Sequence, residues 1–124
     1  MTRTGAITLT DHELRIMRIL WHQSPLSVQD ILDRFRRTPK PAYTSLLTAV
    51  RAMEKKGILN HEKQGKAYLY RPLLQQASYK RSALKRLLTN VFDGDACELA
   101  ANLVKGEALD AAEINQIKQI LESL

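Results

Sequence analysis

Tyr43, Thr44, Ser45, Thr48 and Arg51 stand out for what their groups could do together. Thr44 and Thr48 are four residues apart and Arg51 follows three later. In a helix they share one face with Ser45, turned away from Leu46, Val50 and Met53. Hydroxyls, threonine methyls and a guanidinium are groups that read base edges in a DNA major groove, where methyl meets thymine methyl and arginine forks onto guanine. Tyr43 stands in the first turn, either on that surface or as a core residue closing the turn. Thr44 and Ser45 have a competing role as caps after Pro41, and for Thr48 and Arg51 the competing role is an idle solvated face. Lys63 and Lys66 flank Gly65 and offer point charges to phosphates, which adds affinity with little discrimination. Arg36, Arg37 and Lys40 suit the same task, and plain solvation is the alternative for each.

Chemistry of other kinds finds no footing. His12, His22 and His61 fall in different segments without metal-ligand spacing, and Cys97 is the only cysteine, so no metal site or thiol nucleophile is expected. The five glycines are scattered, so there is no phosphate loop. The expectation is a protein that is not an enzyme and needs no cofactor.

The reading residues need elements to hold them. Thr10 and Glu13 have the spacing of a capping box, and Leu14, Ile16, Met17, Leu20 and Trp21 give the helix that follows one apolar face. Ser24-Pro25 stops it, because proline cannot continue the ladder. Ser27 caps a second helix whose stripe is Val28, Ile31, Leu32 and Phe35. Residues 36–41 are basic, hold two prolines and read as a turn. A third helix covers about residues 42–56 and ends at Gly57. Extended stretches at 59–62 and 67–71 flank Lys63-Gln64-Gly65-Lys66, where Gly65 supplies the positive φ of a tight hairpin.

Three helices followed by a hairpin with a basic tip is the order of a winged helix-turn-helix. Further on, Tyr79 to Phe92 mark a fourth helix and Cys97 to Val104 a fifth, in which Cys97 is expected as a small buried side chain. Asp110 caps a sixth, which carries Ile114, Ile117, Ile120, Leu121 and Leu124. The fold expected is mainly α with a small β-hairpin: a winged helix-turn-helix head over residues 7–74 and a helical dimerisation region over residues 76–124. Three short amphipathic helices cannot easily cover one another's apolar faces, so a symmetric second copy would complete their core. The alternative is that they fold back on the wing of the same chain.

Charge divides the same way. Up to Gln75 there are thirteen Lys/Arg against six Asp/Glu, and from Gln76 six against seven, so the whole net charge of +6 belongs to the first part. A basic section joined to a neutral, leucine-rich one suggests a polyanion-binding head on an assembly module. A lone cysteine agrees with a reducing compartment. No apolar run approaches the ~20 residues needed to span a bilayer, and the first ten residues lack the apolar stretch of a secretory signal. A soluble, cytoplasmic protein is expected. Three classes remain: a dimeric transcriptional repressor, a winged-helix interaction adaptor without sequence-specific DNA binding, and an RNA-binding or architectural protein. Loss of binding to one specific duplex on changing Arg51 separates the first from the others.

The stretches LTDHELRIMRILW (residues 9–21), AYTSLLTAVRAMEKKGIL (residues 42–59) and YLYRPL (residues 68–73) resemble the penicillinase-repressor family, the BlaI/MecI/CopY group. The similarity runs from about residue 9 to residue 121. It implies a winged-helix repressor that binds a dyad operator in double-stranded DNA as a homodimer joined by its C-terminal helices. It also implies, for members near β-lactam resistance genes, inactivation through a membrane sensor protease and a cut at an Asn-Phe bond in a C-terminal helix. The aligned pair here is Asn102-Leu103, which keeps the asparagine and replaces the aromatic. The Cys-x-Cys motifs of the copper-responsive branch are not present around Cys97.

Overall fold

The structure is a computed structural model that describes residues 7–36 and 39–124. The elements are α1 (Asp11–His22), α2 (Val28–Asp33), α3 (Tyr43–Lys55), β1 (Leu59–Gln64), β2 (Ala67–Pro72), α4 (Gln76–Phe92), α5 (Ala96–Lys105) and α6 (Ala111–Glu122). This is the expected mainly α chain with a β-hairpin, in the order of a winged helix-turn-helix. The chain divides into two compact units, Met1–Ser82 and Ala83–Leu124.

In the first unit, α1 begins where its capping box places it. Glu13 N donates to Thr10 Oγ1 at 3.1 Å and Thr10 N donates to Glu13 Oε1 at 2.9 Å. Ser27 caps α2 by accepting from Asp30 N at 3.1 Å. This helix is shorter than its apolar stripe implies: it stops at Asp33, and Phe35 lies beyond the Arg34 cap yet is buried. Phe35 is therefore a core residue held by irregular chain. Gly57 ends the α3 region with φ 86°, a left-handed conformation that side chains resist.

The hairpin is antiparallel, with register running from Leu59↔Pro72 to Gln64↔Ala67. Its strands are longer than the sequence suggests and leave Gly65-Lys66 as the tip. Gly65 has φ 61° at the first tip position, which fits a two-residue turn that follows the strand twist. Leu26 adds a one-residue third strand: its N–H donates to Tyr70 O at 3.0 Å and its carbonyl accepts from Tyr70 N at 2.7 Å. The chain before α2 is thereby tied to the wing.

Ile16, Met17 and Leu20 of α1, Ile31 of α2, and Leu46, Val50 and Met53 of α3 meet Ile58, Leu59 and Tyr70 in one closed core. Trp21 Nε1 donates to Leu74 O at 2.8 Å, and its ring lies 6.0 Å from that of Tyr79. Glu13 is the one buried charged residue among those described. Its Oε2 accepts from Lys56 Nζ at 2.6 Å, which ties the start of α1 to the end of α3.

The second unit is as well capped and far less buried. Asp95 caps α5, and Asp110 with Glu113 forms a capping box on α6. Yet neither helix has a buried residue, and Leu103, Val104, Ile117, Ile120, Leu121 and Leu124 are exposed. Cys97 is exposed too, against the expectation that α5 would bury it. Two short helices and the end of α4 are too few to enclose one another's apolar faces. No described helix is long and apolar enough to cross a membrane.

Candidate nucleic-acid interface

A groove of about 420 Å³ runs between α3, the hairpin and the start of α2. On the α3 side it is lined by Tyr43, Leu47 and Arg51, which recur at helical spacing; on the hairpin side by Lys63, Lys66, Tyr68 and Tyr70. Ser27, Val28 and Gln29 close its third side. Four of the residues singled out in the sequence, Tyr43, Arg51, Lys63 and Lys66, thus meet in one place. Tyr43 is 43% exposed, so it belongs to the surface and not to the core.

Thr44, Ser45 and Thr48 are exposed on the neighbouring stripe of α3 and do not line the groove. Capping is not their role, since the N-cap of α3 is Ala42 and no side-chain cap bond is made there. Thr48 Oγ1 donates to Thr44 O at 2.9 Å. Its hydroxyl hydrogen is therefore used within the helix, and the oxygen lone pairs and γ-methyl remain for an outside partner.

The register pairs His61 with Tyr70 and Lys63 with Tyr68, which puts these four side chains on one face of the hairpin. His61 Nδ1 lies 2.9 and 2.7 Å from the two carboxylate oxygens of Glu54 on α3, so that nitrogen carries the proton. The Tyr68 ring stacks on His61 at 4.4 Å and 18°. Glu54, His61 and Tyr68 thus fasten the wing to α3 while Tyr68, 44% exposed, still faces the groove. Tyr68, Gln29 and the His61–Glu54 link are absent from the residues that sequence alone singles out. Alternation places Tyr68 on the face of buried Tyr70, so no pattern in the strand marks it as exposed.

The charges sort by face. Arg51, Lys63 and Lys66 line the groove with no carboxylate among its residues. Glu54 is held by His61, and Glu62 pairs with Arg71 on the opposite face of the hairpin. Burial, and then the Glu54 carboxylate, raise the Tyr70 phenol above its ordinary value despite Arg51, so its hydroxyl stays a neutral donor and acceptor. Of the turn residues, Arg36 lines a different groove, Lys40 is exposed and lines neither, and Arg37 lies outside the described residues. A concave, carboxylate-free surface with three cations, two exposed tyrosines and a neighbouring hydroxyl stripe is suited to a polyanion with readable edges.

Comparison with known proteins gives this surface its context. The family model described as "Penicillinase repressor" matches residues 9–123. A penicillinase repressor of Bacillus licheniformis is 29% identical over 118 residues, covering 92% of this chain and 89% of that protein. The methicillin resistance regulatory protein MecI of Staphylococcus aureus (strain N315) is 24% identical over 113 residues, covering 91% of this chain and 92% of that one. Among solved structures, the solution structure of the DNA-binding domain of the repressor BlaI matches with a TM-score of 0.52 and 26% identity, covering 64% of this chain and 94% of that domain. With a family model spanning nearly its whole length and a winged-helix head like that of a known repressor, this chain belongs to the penicillinase repressor family.

Proposed function

We infer that the protein is a cytoplasmic, homodimeric transcriptional repressor that binds a dyad operator through α3 and the wing. The observation that carries the reading is the groove in which Arg51, Lys63 and Lys66 meet without a carboxylate, beside the exposed stripe of Thr44, Ser45 and Thr48. In this reading Thr48 and Arg51 meet base edges, while Lys63 and Lys66 meet phosphates. Tyr43 and Tyr68 flank the backbone between them.

Dimerisation through the region from Gln76 onward is supported by the exposed Leu103, Val104, Ile117, Ile120, Leu121 and Leu124. A second copy would cover these side chains, and two joined heads would read half-sites roughly 34 Å apart. The names of the relatives support a role in β-lactam resistance. Relief of repression through a membrane sensor protease and cleavage between Asn102 and Leu103 rests on the family resemblance and the aligned asparagine alone. That bond lies inside α5, where Asn102 O accepts from Gly106 N at 2.9 Å and Asn102 Nδ2 donates to Glu98 O at 2.9 Å. A protease would have to open this turn first. Cleavage would separate the whole of α6 from the head.

Sedimentation of the full chain with a duplex selected from a random pool tests the reading. One dimer per dyad is expected, and a monomer binding all duplexes alike would contradict it. A chain ending at Asn102 should lose both dimer and operator affinity; full affinity there would refute release by cleavage.

A further inference from the structure

Arg15, Arg18 and His22 recur along α1 at spacings of three and four, on the side away from Ile16, Met17 and Leu20. The end of α2 and the chain beyond it bring Arg34, Phe35 and Arg36 to the same place. Together these residues wall a groove of about 600 Å³ that shares no residue with the one beside α3. Half-buried Ile19 and the little of Phe35 that is exposed give it an apolar floor, extended by the methylene stems of the arginines.

Four guanidiniums here face a single carboxylate, Asp33, whose Oδ1 already accepts from Gln29 Nε2 at 2.9 Å. Among the described residues Arg15, Arg18 and Arg36 have no ion-pair partner. Arg34 is fixed in place: Nε and Nη2 donate to Gln23 Oε1 at 3.3 and 3.1 Å, and Nη1 donates to Asp30 O at 3.0 Å. Three of its five N–H donors are thus used in holding its plane, and two remain. Like charges gathered in a concavity repel one another and focus a positive potential there, which an entering anion relieves. The cations lining this groove are all arginine, the side chain whose planar fork matches the oxygens of a phosphate or carboxylate. The volume falls in the range of small-molecule sites, about 300–1,000 Å³.

We propose that the α1–α2 groove binds a small phosphate monoester with an apolar body. Its phosphate oxygens are held by Arg15, Arg18 and Arg36 around the preset Arg34, and its body lies against Ile19 and Phe35. Such a site gives the head a small-molecule input separate from its DNA-facing surface. DNA backbone offers the same phosphate chemistry, so the test must tell the two sources apart.

Calorimetric titration of the full chain with phenyl phosphate and with inorganic phosphate, compared with an Arg15→Gln/Arg18→Gln double variant and with Lys66→Ala, does this. Phenyl phosphate should bind at least tenfold more tightly than inorganic phosphate. The double variant should weaken it at least tenfold, while Lys66→Ala leaves it unchanged. The double variant should also keep the thermal unfolding midpoint and the salt dependence of duplex binding. No binding of phenyl phosphate at millimolar concentration, equal binding of the two phosphates, or indifference to the double variant would overturn the proposal. A fall of about two in the log–log salt slope of duplex binding in that variant would instead assign the groove to DNA backbone.

Discussion

The residues up to Ser82 and those from Ala83 onward are built from equally good helical punctuation but reach different ends. In the first unit the apolar faces of α1, α2 and α3 close over Ile16, Met17, Leu20, Ile31, Leu46, Val50 and Met53, with the hairpin contributing Leu59 and Tyr70. In the second, α5 and α6 have side-chain caps, apolar stripes and no buried residue. Capping and periodicity decide that a helix forms. Enclosure needs a third and fourth surface, which the head possesses in its own chain and the tail does not. A head that closes on itself and a tail whose apolar stripes stay exposed agree with the reader and assembly module proposed above.

The contrast breaks first at single core positions. Ile16→Ala should lower the unfolding free energy by about 2–5 kcal/mol in urea titration, because it opens a cavity in a filled core. Leu121→Ala should leave head unfolding near its original value and shift the sedimentation equilibrium toward monomer. Equal losses in both variants would mean that the tail is packed against the head.

Next comes the tail as a whole. A chain ending at Ser82 should stay folded by circular dichroism, sediment as a monomer, and lose on the order of a hundredfold in operator affinity, because the second head no longer benefits from a high effective concentration. Ending the chain at Arg71 is a harsher cut, since it removes the buried Leu74 and Tyr79 that meet Trp21. A Ser82 chain that remained dimeric would move the assembly surface into the head.

A smaller effect sharpens the account of the head. Burial pushes the Glu13 carboxyl up, but hydrogen bonds from Lys56 and Thr10 more than offset this and hold it below 4.5. The folded value is the lower one, so the stabilisation is complete above about 4.5 and is lost as the pH falls through that folded value. Glu13→Gln should cost on the order of 1–3 kcal/mol near neutral pH and narrow the difference between urea midpoints at neutral and strongly acid pH. A variant with unchanged stability at neutral pH would show that the tie to Lys56 contributes nothing.

How much of this was legible follows from how local each signal is. The capping box of Thr10 and Glu13, the stop at Gly57 and the turn at Gly65 depend on a few neighbouring residues, and they form as the sequence implies. Phe35 continues a helical stripe that the helix itself abandons, because burial of a ring does not require helical backbone. Leu26 joins the wing through two backbone bonds to Tyr70, forty-four residues away in the chain, and no pattern of side chains announces it. The His61–Glu54 contact crosses from helix to strand around Gly57, so neither residue suggests the other. The hydroxyl of Thr48 was legible by type, but its bond to Thr44 O depends on a rotamer that sequence does not specify. Cys97 was misplaced because its helix has the composition of a buried one without the neighbours to bury it.

The central claim is that α3 reads and the wing holds. A competition titration across salt concentrations tests it, using the duplex the protein selects, a random duplex, the unaltered chain, Arg51→Ala and Lys66→Ala. Arg51→Ala should cost about 1–3 kcal/mol on the selected duplex and little on the random one. Lys66→Ala should weaken both alike and reduce the log–log salt slope by about 1. If Lys66 carried the discrimination and Arg51 were neutral on the selected duplex, the assignment of reading to α3 would be wrong.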